Sequence, residues 1–272
     1  MSRVPRDDKG EHDDCDNRDR QRQGRRRQDY NRLHLAVAFA ERGLSTLAVD
    51  VDPQGTLTQQ LGIATDHGTP TVREVLFDNH RLRDVAVPTR LYLDVAPADL
   101  RLADADLGLA QVGGGDLRLR KGMRGLPHEI VVIDCPPALG KLTFNALVAA
   151  DAYLVPIDSA AFALMGMDML FRTVEEVREY FNPNLCFLGP VLTLAEPRTL
   201  VTRAVSDQLR RAYPETFATM IRRSQKAKEV AFAQETLLDI EPTTTGDDYR
   251  TLASEVLGRL GLGALTNDTR VG

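Results

Sequence analysis

Strand-like and helix-like segments alternate along this 272-residue chain, and the alternation predicts an α/β fold, a three-layer sandwich around a mostly parallel sheet. Two apolar runs that end in carboxylates support that reading. Leu47-Ala48-Val49-Asp50-Val51-Asp52 and Ile130-Val131-Val132-Ile133-Asp134 have the unbroken hydrophobicity of strands covered on both faces, which is how a parallel sheet delivers acidic side chains to its carboxyl edge. Composition is the third support. With 43% apolar residues the chain is long enough to bury one sizeable core, and we expect one main domain over residues 33–264 with a tail at 265–272.

Residues 1–32 stand apart. Asp7, Asp8, Lys9, Glu11, Asp13 and Asp14 give way to Arg18, Arg20, Arg22, Arg25, Arg26 and Arg27, with hardly an apolar residue, so residues 1 to about 30 are expected to be disordered. From Leu33 the pattern becomes helical, through Leu35, Val37 and Phe39, and stops at Arg42-Gly43. A strand follows over residues 44–51, then short helices over 56–61 and 71–77, and a strand over 91–97 broken by its proline. Gly113-Gly114-Gly115 marks a loop. Beyond the strand ending at Asp134 the pattern predicts helix 141–150, strand 152–157, helix 164–181, strand 186–194, helix 199–212, a basic stretch from Arg222 to Lys228, and a closing helix 247–260.

Other features narrow the function classes. There is no apolar run of eighteen residues and no secretory signal pattern, so a cytoplasmic location without membrane partners is expected. Cys15, Cys135 and Cys186 lie far apart, which argues against a disulfide framework or a zinc site. A formal charge of −5 argues against a uniformly basic surface but allows a local basic patch. The five histidines, His12, His34, His67, His80 and His128, have no ligand-like spacing and receive no role; Met165, Met167 and Met169 read as core filling.

Taken in order, Arg42-Gly43, Asp50-Val51-Asp52-Pro53-Gln54-Gly55, Asp134-Cys135-Pro136-Pro137, Leu142 to Asp151 and Val155-Pro156-Ile157 resemble the ParA/Soj branch of the deviant Walker ATPases, which segregate plasmids and chromosomes. The resemblance runs from about Leu33 to the last helix and implies a P-loop NTPase-like fold. It implies that Asp134 holds the shell of a Mg2+ ion, that Asp52 orients the attacking water and that Asp50 stands beside it. It also places Gly55, Pro136, Pro137 and Pro197 among the positions near bound ATP, with Gly140 completing the second switch. Ordinary turn chemistry is the competing reading for Asp50 and Asp52, because Asp-Pro followed by Gly favours a turn. Cys135 reads as a small apolar filler in a strand end rather than a nucleophile, since no histidine stands near it to activate it.

One part of the family pattern is missing. A KGGxGKT[TS] loop precedes the first helix in this family; its backbone N–H groups and lysines hold the phosphates and its threonine reaches the metal. The corresponding residues here are Gln21-Arg22-Gln23-Gly24-Arg25-Arg26-Arg27-Gln28-Asp29-Tyr30-Asn31, with one glycine and no lysine. The genetic code suggests why. Dropping one base turns Arg and Gly codons into GNC codons, turns Gln23 and Gln28 into Lys or Arg, and turns Asp29, Tyr30 and Asn31 into Thr or Ile. The shifted frame permits Asn-Gly-Lys-Gly-Gly-Val-Gly-Lys-Thr-Thr-Thr, preceded by a β-branched run from residues 16–20. The expectation is therefore that a one-base shift has removed the first strand and the phosphate loop, with the frame restored near Arg32 to His34. The rival readings are a genuine arginine-rich tail that touches DNA phosphates and a solvated tail without function.

The resemblance further implies a homodimer that forms around ATP, binds DNA without sequence preference, associates with the nucleoid and is stimulated by a ParB-like partner. Arg198, Arg222, Arg223, Lys226 and Lys228 are the candidate DNA contacts; a solvated helix face is the plainer alternative. A related ATPase that positions membrane cargo is a rival, weakened because Leu257, Leu260, Leu262 and Leu265 lack a basic face alongside. A rival of another class is a nucleotide-free, degenerate paralogue acting as a DNA-binding or adaptor protein.

Overall fold

The computed structural model describes residues 30–66, 68–158, 167–240 and 243–263. The expectation of disorder over residues 1 to about 30 lies outside them, as do Met165 and the start of the helix expected from 164. Seven strands are present among the described residues: β1 (Thr46–Asp50), β2 (Val87–Arg90), β3 (Leu93–Ala96), β4 (Ile130–Asp134), β5 (Ala152–Asp158), β6 (Cys186–Ala195) and β7 (Met220–Arg222). The α-helices are α1 (Tyr30–Ala40), α2 (Thr56–Gln60), α3 (Val72–Phe77), α4 (Leu82–Val85), α5 (Ala105–Gln111), α6 (Arg118–Gly122), α7 (Lys141–Ala149), α8 (Met167–Tyr180), α9 (Leu200–Ala212), α10 (Ala227–Phe232) and α11 (Thr244–Arg259).

The strands form two sheets, in the orders β2-β3-β1-β4 and β5-β6-β7. All pairings are parallel except β2 with β3, an edge hairpin, so the sheet is mostly parallel as the sequence indicated. Period-two alternation sorts the strand residues into layers. Leu47 and Val49 of β1, with Val131 and Ile133 of β4, face α3, α4, α5, α6 and α7. Ala48 and Val132 face the opposite way, against α1 and α11. The second sheet joins the same layer: Leu188 and Val191 of β6 and Leu154 of β5 belong to the core that includes α1 and α11, while Ile157, Leu192 and Ala195 pack with α8 and α9. Helices thus cover both faces, and the two sheets share one helical roof.

Two contacts hold that roof together. His34 of α1 is fully buried; its Nε2 accepts the Leu237 N–H at 2.9 Å and its ring stacks on Tyr249 of α11 at 4.9 Å. Glu41, just beyond α1, takes a forked ion pair from Arg250 of α11 at 2.9 and 3.0 Å.

Sequence pattern missed the elements that are short or lack a period. β2 contains Pro88 and survives as an edge strand, where a missing N–H costs no ladder bond. Strand β7 has three residues, and α4, α6 and α10 run four to six residues each, too short to show a periodic face. Arg222, read from sequence as part of a basic stretch, ends β7.

Candidate functional site

The carboxyl ends of β1 and β4 carry the acidic cluster. Asp50 and Asp134 are register partners across the parallel pair, and the Val51 N–H donates to the Asp134 carbonyl at 2.9 Å. All three of Asp50, Asp52 and Asp134 are buried. Their surroundings differ. The Asp50 carboxylate accepts from the backbone N–H of Asp52 at 3.1 Å, from the Thr58 N–H at 3.0 Å and from the Thr58 hydroxyl at 2.7 Å. The Thr58 hydroxyl in turn accepts the Ala98 N–H at 3.0 Å, so one side chain fastens α2 to the chain leaving β3. Burial pushes the Asp50 carboxyl up to about 6, against the hydrogen bonds from Thr58 and Asp52 that favour its charged form.

Asp52 opens a turn. Its Oδ1 accepts the Gln54 N–H at 2.9 Å, and its carbonyl accepts the Gly55 N–H at 2.9 Å. Gly55 then starts α2 in the left-handed region at φ 58, where a Cβ would also lie 3.0 Å from the Ala98 carbonyl oxygen. The turn reading of Asp50 and Asp52 is therefore correct for their hydrogen bonds. It does not compete with a site, because the turn holds both carboxylates at the sheet edge beside Asp134.

Beyond β4 the chain passes Pro136, half-buried, and Pro137, exposed, to Gly140. The Asp106 carboxylate occupies the space above Gly140, within 2.4 to 2.8 Å of where a Cβ would stand, and accepts the Lys141 N–H at 2.7 Å at the start of α7. Cys135 is half-buried among apolar neighbours of this layer, in keeping with a filler.

The remaining candidates lie on the second sheet. Pro197 and Arg198 are exposed between β6 and α9, and Pro197 borders a groove of about 360 Å³ with Thr202, Arg203, Ser206, Asp207, Arg210 and Met220. Arg222 is committed elsewhere: its guanidinium grips the Asp248 carboxylate, with contacts of 2.6 to 3.1 Å, and reaches the Thr244 carbonyl at 2.9 Å. Arg223 pairs with Glu196 at 2.8 Å with both side chains well exposed, Lys226 is exposed, and the Lys228 side chain is outside the described residues. Sequence reading overlooked Thr58, the residue that ties Asp50 in place; a hydroxyl at the third position after a turn glycine was the available signal.

Comparison with known proteins decides the family. A family model described as an AAA domain matches residues 30–187. The chain is 36% identical over 234 residues to the chromosome partitioning protein ParA of Caulobacter vibrioides, covering 84% of this chain and 88% of that protein. The chain belongs to the ParA/Soj family of partition ATPases. The sporulation initiation inhibitor protein Soj of Bacillus subtilis is 31% identical over 82% of this chain and 90% of its own length. Among solved structures, cobyrinic acid a,c-diamide synthase from Mycobacterium smegmatis with bound ADP and magnesium superposes with a TM-score of 0.74 at 30% identity, over 86% of this chain and 89% of that one. The P-loop NTPase-like fold expected from the ParA/Soj resemblance is thereby established, and nucleotide with magnesium is at home in it.

This chain's own residues fit such a ligand only in part. Asp134 and Asp52 are buried carboxylates at and just beyond the strand ends of the first sheet, although among the described residues no group of three or more His, Cys, Asp or Glu is arranged to hold a metal ion. The residues ahead of α1 supply neither the glycines nor the lysines that a triphosphate requires.

Proposed function

We propose that this chain is a ParA-like partition ATPase whose phosphate-binding loop has been scrambled by a one-base shift, and that the polypeptide as written is defective in ATP binding. The observation that carries the proposal is the contrast between a well-built acidic edge and a loop segment of wrong residue types. Asp50, Asp52 and Gly55 are held by specific, mutually consistent hydrogen bonds, whereas Gln21 to Asn31 contain one glycine and no lysine, so the family's glycine-rich loop, which brings backbone N–H groups and a lysine to the phosphates, is missing. Burial supports the point of frame restoration: Leu33, His34, Leu35 and Ala36 are all buried in the core, which random out-of-frame residues would not achieve.

In the intact reading the domain spans residues 33–264 together with a restored leading strand and loop. It dimerises with a second copy around ATP and Mg2+, binds DNA without sequence preference, and responds to a ParB-like partner in the cytoplasm at the nucleoid. Asp52 orients the attacking water, Asp134 serves the metal's surroundings, and Asp50 holds the Asp52 turn. Exposed Pro137 and Leu139 beside the acids offer a surface for the second subunit. Arg198 and Lys226, both exposed, and Arg223, exposed but shared with Glu196, are the side chains that would meet phosphates; Arg222 serves chiefly to fix β7 to α11. Resequencing codons 15–36 from fresh genomic DNA tests the shift: a missing or extra base supports it, and an unchanged reading rejects it.

A second reading keeps the literal sequence, a nucleotide-free adaptor that binds DNA through its surface. The arginine run from Arg18 to Arg27 favours it. Retention of Asp50, Asp52 and Asp134 speaks against it, and an ATP response gained by the frame-restored chain would favour the first reading over the second.

A further inference from the structure

A second charged feature lies on the far side of the first sheet. Val72 donates to the Pro97 carbonyl at 2.8 Å, just past the carboxyl end of β3, so α3 starts at that edge and runs back toward the amino edge. Arg124, beyond the end of α6, precedes β4 at its amino end. Between the ends of α3 and α6 is a pocket of about 180 Å³ that includes Asn79, His80, Arg81, Arg118, Lys121 and Arg124. It is thus separated by the height of the sheet from Asp50, Asp52 and Asp134.

The pocket is one-sided in charge. Its lining contains no carboxylate, and among the described residues none of Arg81, Arg118, Lys121 and Arg124 forms a side-chain ion pair. Acids close by in the chain are engaged: Asp78 pairs with Arg73 at 3.1 Å, Asp84 takes the Arg81 N–H at 3.1 Å, and Asp116 holds Lys141 at 2.7 Å. Close packing brings the cations together, since a Cβ on Gly122 would stand 2.3 Å from Val75 Cγ1. The donors are underused. Arg81 reaches only the carbonyls of Lys121 and Arg124, at 3.3 and 3.5 Å. Arg118 donates to Asn79 Oδ1 at 2.5 Å and, at 3.5 Å, to the Gly113 carbonyl, while its Nε is buried without a partner. Four cationic residues line one pocket with N–H groups to spare, and an anion there would relieve their mutual repulsion.

We propose that this pocket binds a phosphate-class oxyanion, with Arg81, Arg118, Lys121 and Arg124 as its donors. A tetrahedral oxyanion offers several acceptors to guanidinium forks, and the volume suits inorganic phosphate or one phosphate group of a larger molecule. The test titrates the full chain with inorganic phosphate by calorimetry, against chloride at matched ionic strength. Saturable phosphate binding is expected, weakened about tenfold by Arg118→Gln and by Lys121→Gln, and unchanged by Arg172→Gln on exposed α8. Lys121 is exposed, so K121Q keeps the fold, which circular dichroism verifies. Competition by duplex DNA would assign the oxyanion to a nucleic-acid backbone and its absence to a free phosphate, both upholding the site. Heat indistinguishable from chloride, or an affinity in K121Q and R118Q equal to that of the unaltered chain, would overturn it.

Discussion

Asp50 is fully buried, and three donors converge on its carboxylate, two of them from Thr58. Removing the hydroxyl in Thr58→Val takes one of the three donors from Asp50 and leaves the Ala98 N–H without its partner, so we expect a loss of about 2–3 kcal/mol, read from the urea midpoint. The same carboxylate sets a pH dependence. Its folded pKa, about 6, lies above the 3.8 of the unfolded chain, so the folded state binds the extra proton between these values. Stability conferred by that proton is present below about pH 4 and lost as pH rises through 6, a change on the order of 3 kcal/mol. Asp50→Asn should flatten this slope between pH 4 and 6; an unchanged slope would assign the proton elsewhere. Gly55→Ala forces a Cβ into the left-handed region against the Ala98 carbonyl and should cost about 1–2 kcal/mol in the same assay. At this scale the acids and the glycine were legible in the sequence because short spacing along one strand and turn fixes them. Thr58 and His34 were not, since their roles depend on partners at Ala98, 40 residues away, and Leu237, 203 residues away.

The junction of β7 with α11 shows how an element changes the meaning of a residue. Read as part of a basic run, Arg222 is a DNA contact; in the fold its forked bond to Asp248 anchors a three-residue strand to the last helix. Arg222→Ala should lower stability by about 1–2 kcal/mol, the guanidinium being partly exposed, and a double-mutant cycle with Asp248→Ala should show coupling. Arg198→Ala and Lys226→Ala should leave the melting temperature unchanged while weakening DNA binding and reducing its salt slope by about one unit each. A salt slope insensitive to both would return these residues to the solvated-face reading. Long elements with a clear period, such as α8, α9 and α11, were visible in sequence to within a few residues. Of the two helices that meet at the basic pocket, α3 was visible, over 71–77, and α6 was not: its Arg-Leu-Arg-Lys-Gly has no apolar stripe, and packing against its neighbours supports it as a helix.

Across the whole molecule, α1 and α11 join two sheets whose inner strands are not paired to each other among the described residues. The middle residues of both, Val131 to Ile133 in β4 and Tyr153 to Val155 in β5, are only half-buried, although their composition suits a sheet centre. This is where a strand encoded ahead of the phosphate loop would complete one continuous sheet, so the proposed frameshift accounts for a feature of the fold as well as of the sequence. Restoring the frame should raise stability along with nucleotide affinity. The most direct measurement is a fluorescent-ATP titration, with magnesium, of two proteins side by side: the chain as written and the chain with its frame restored over residues 16–34. The account predicts saturable binding, with DNA-stimulated hydrolysis, for the restored chain alone. Equal binding by the chain as written, or none by the restored chain, would contradict it.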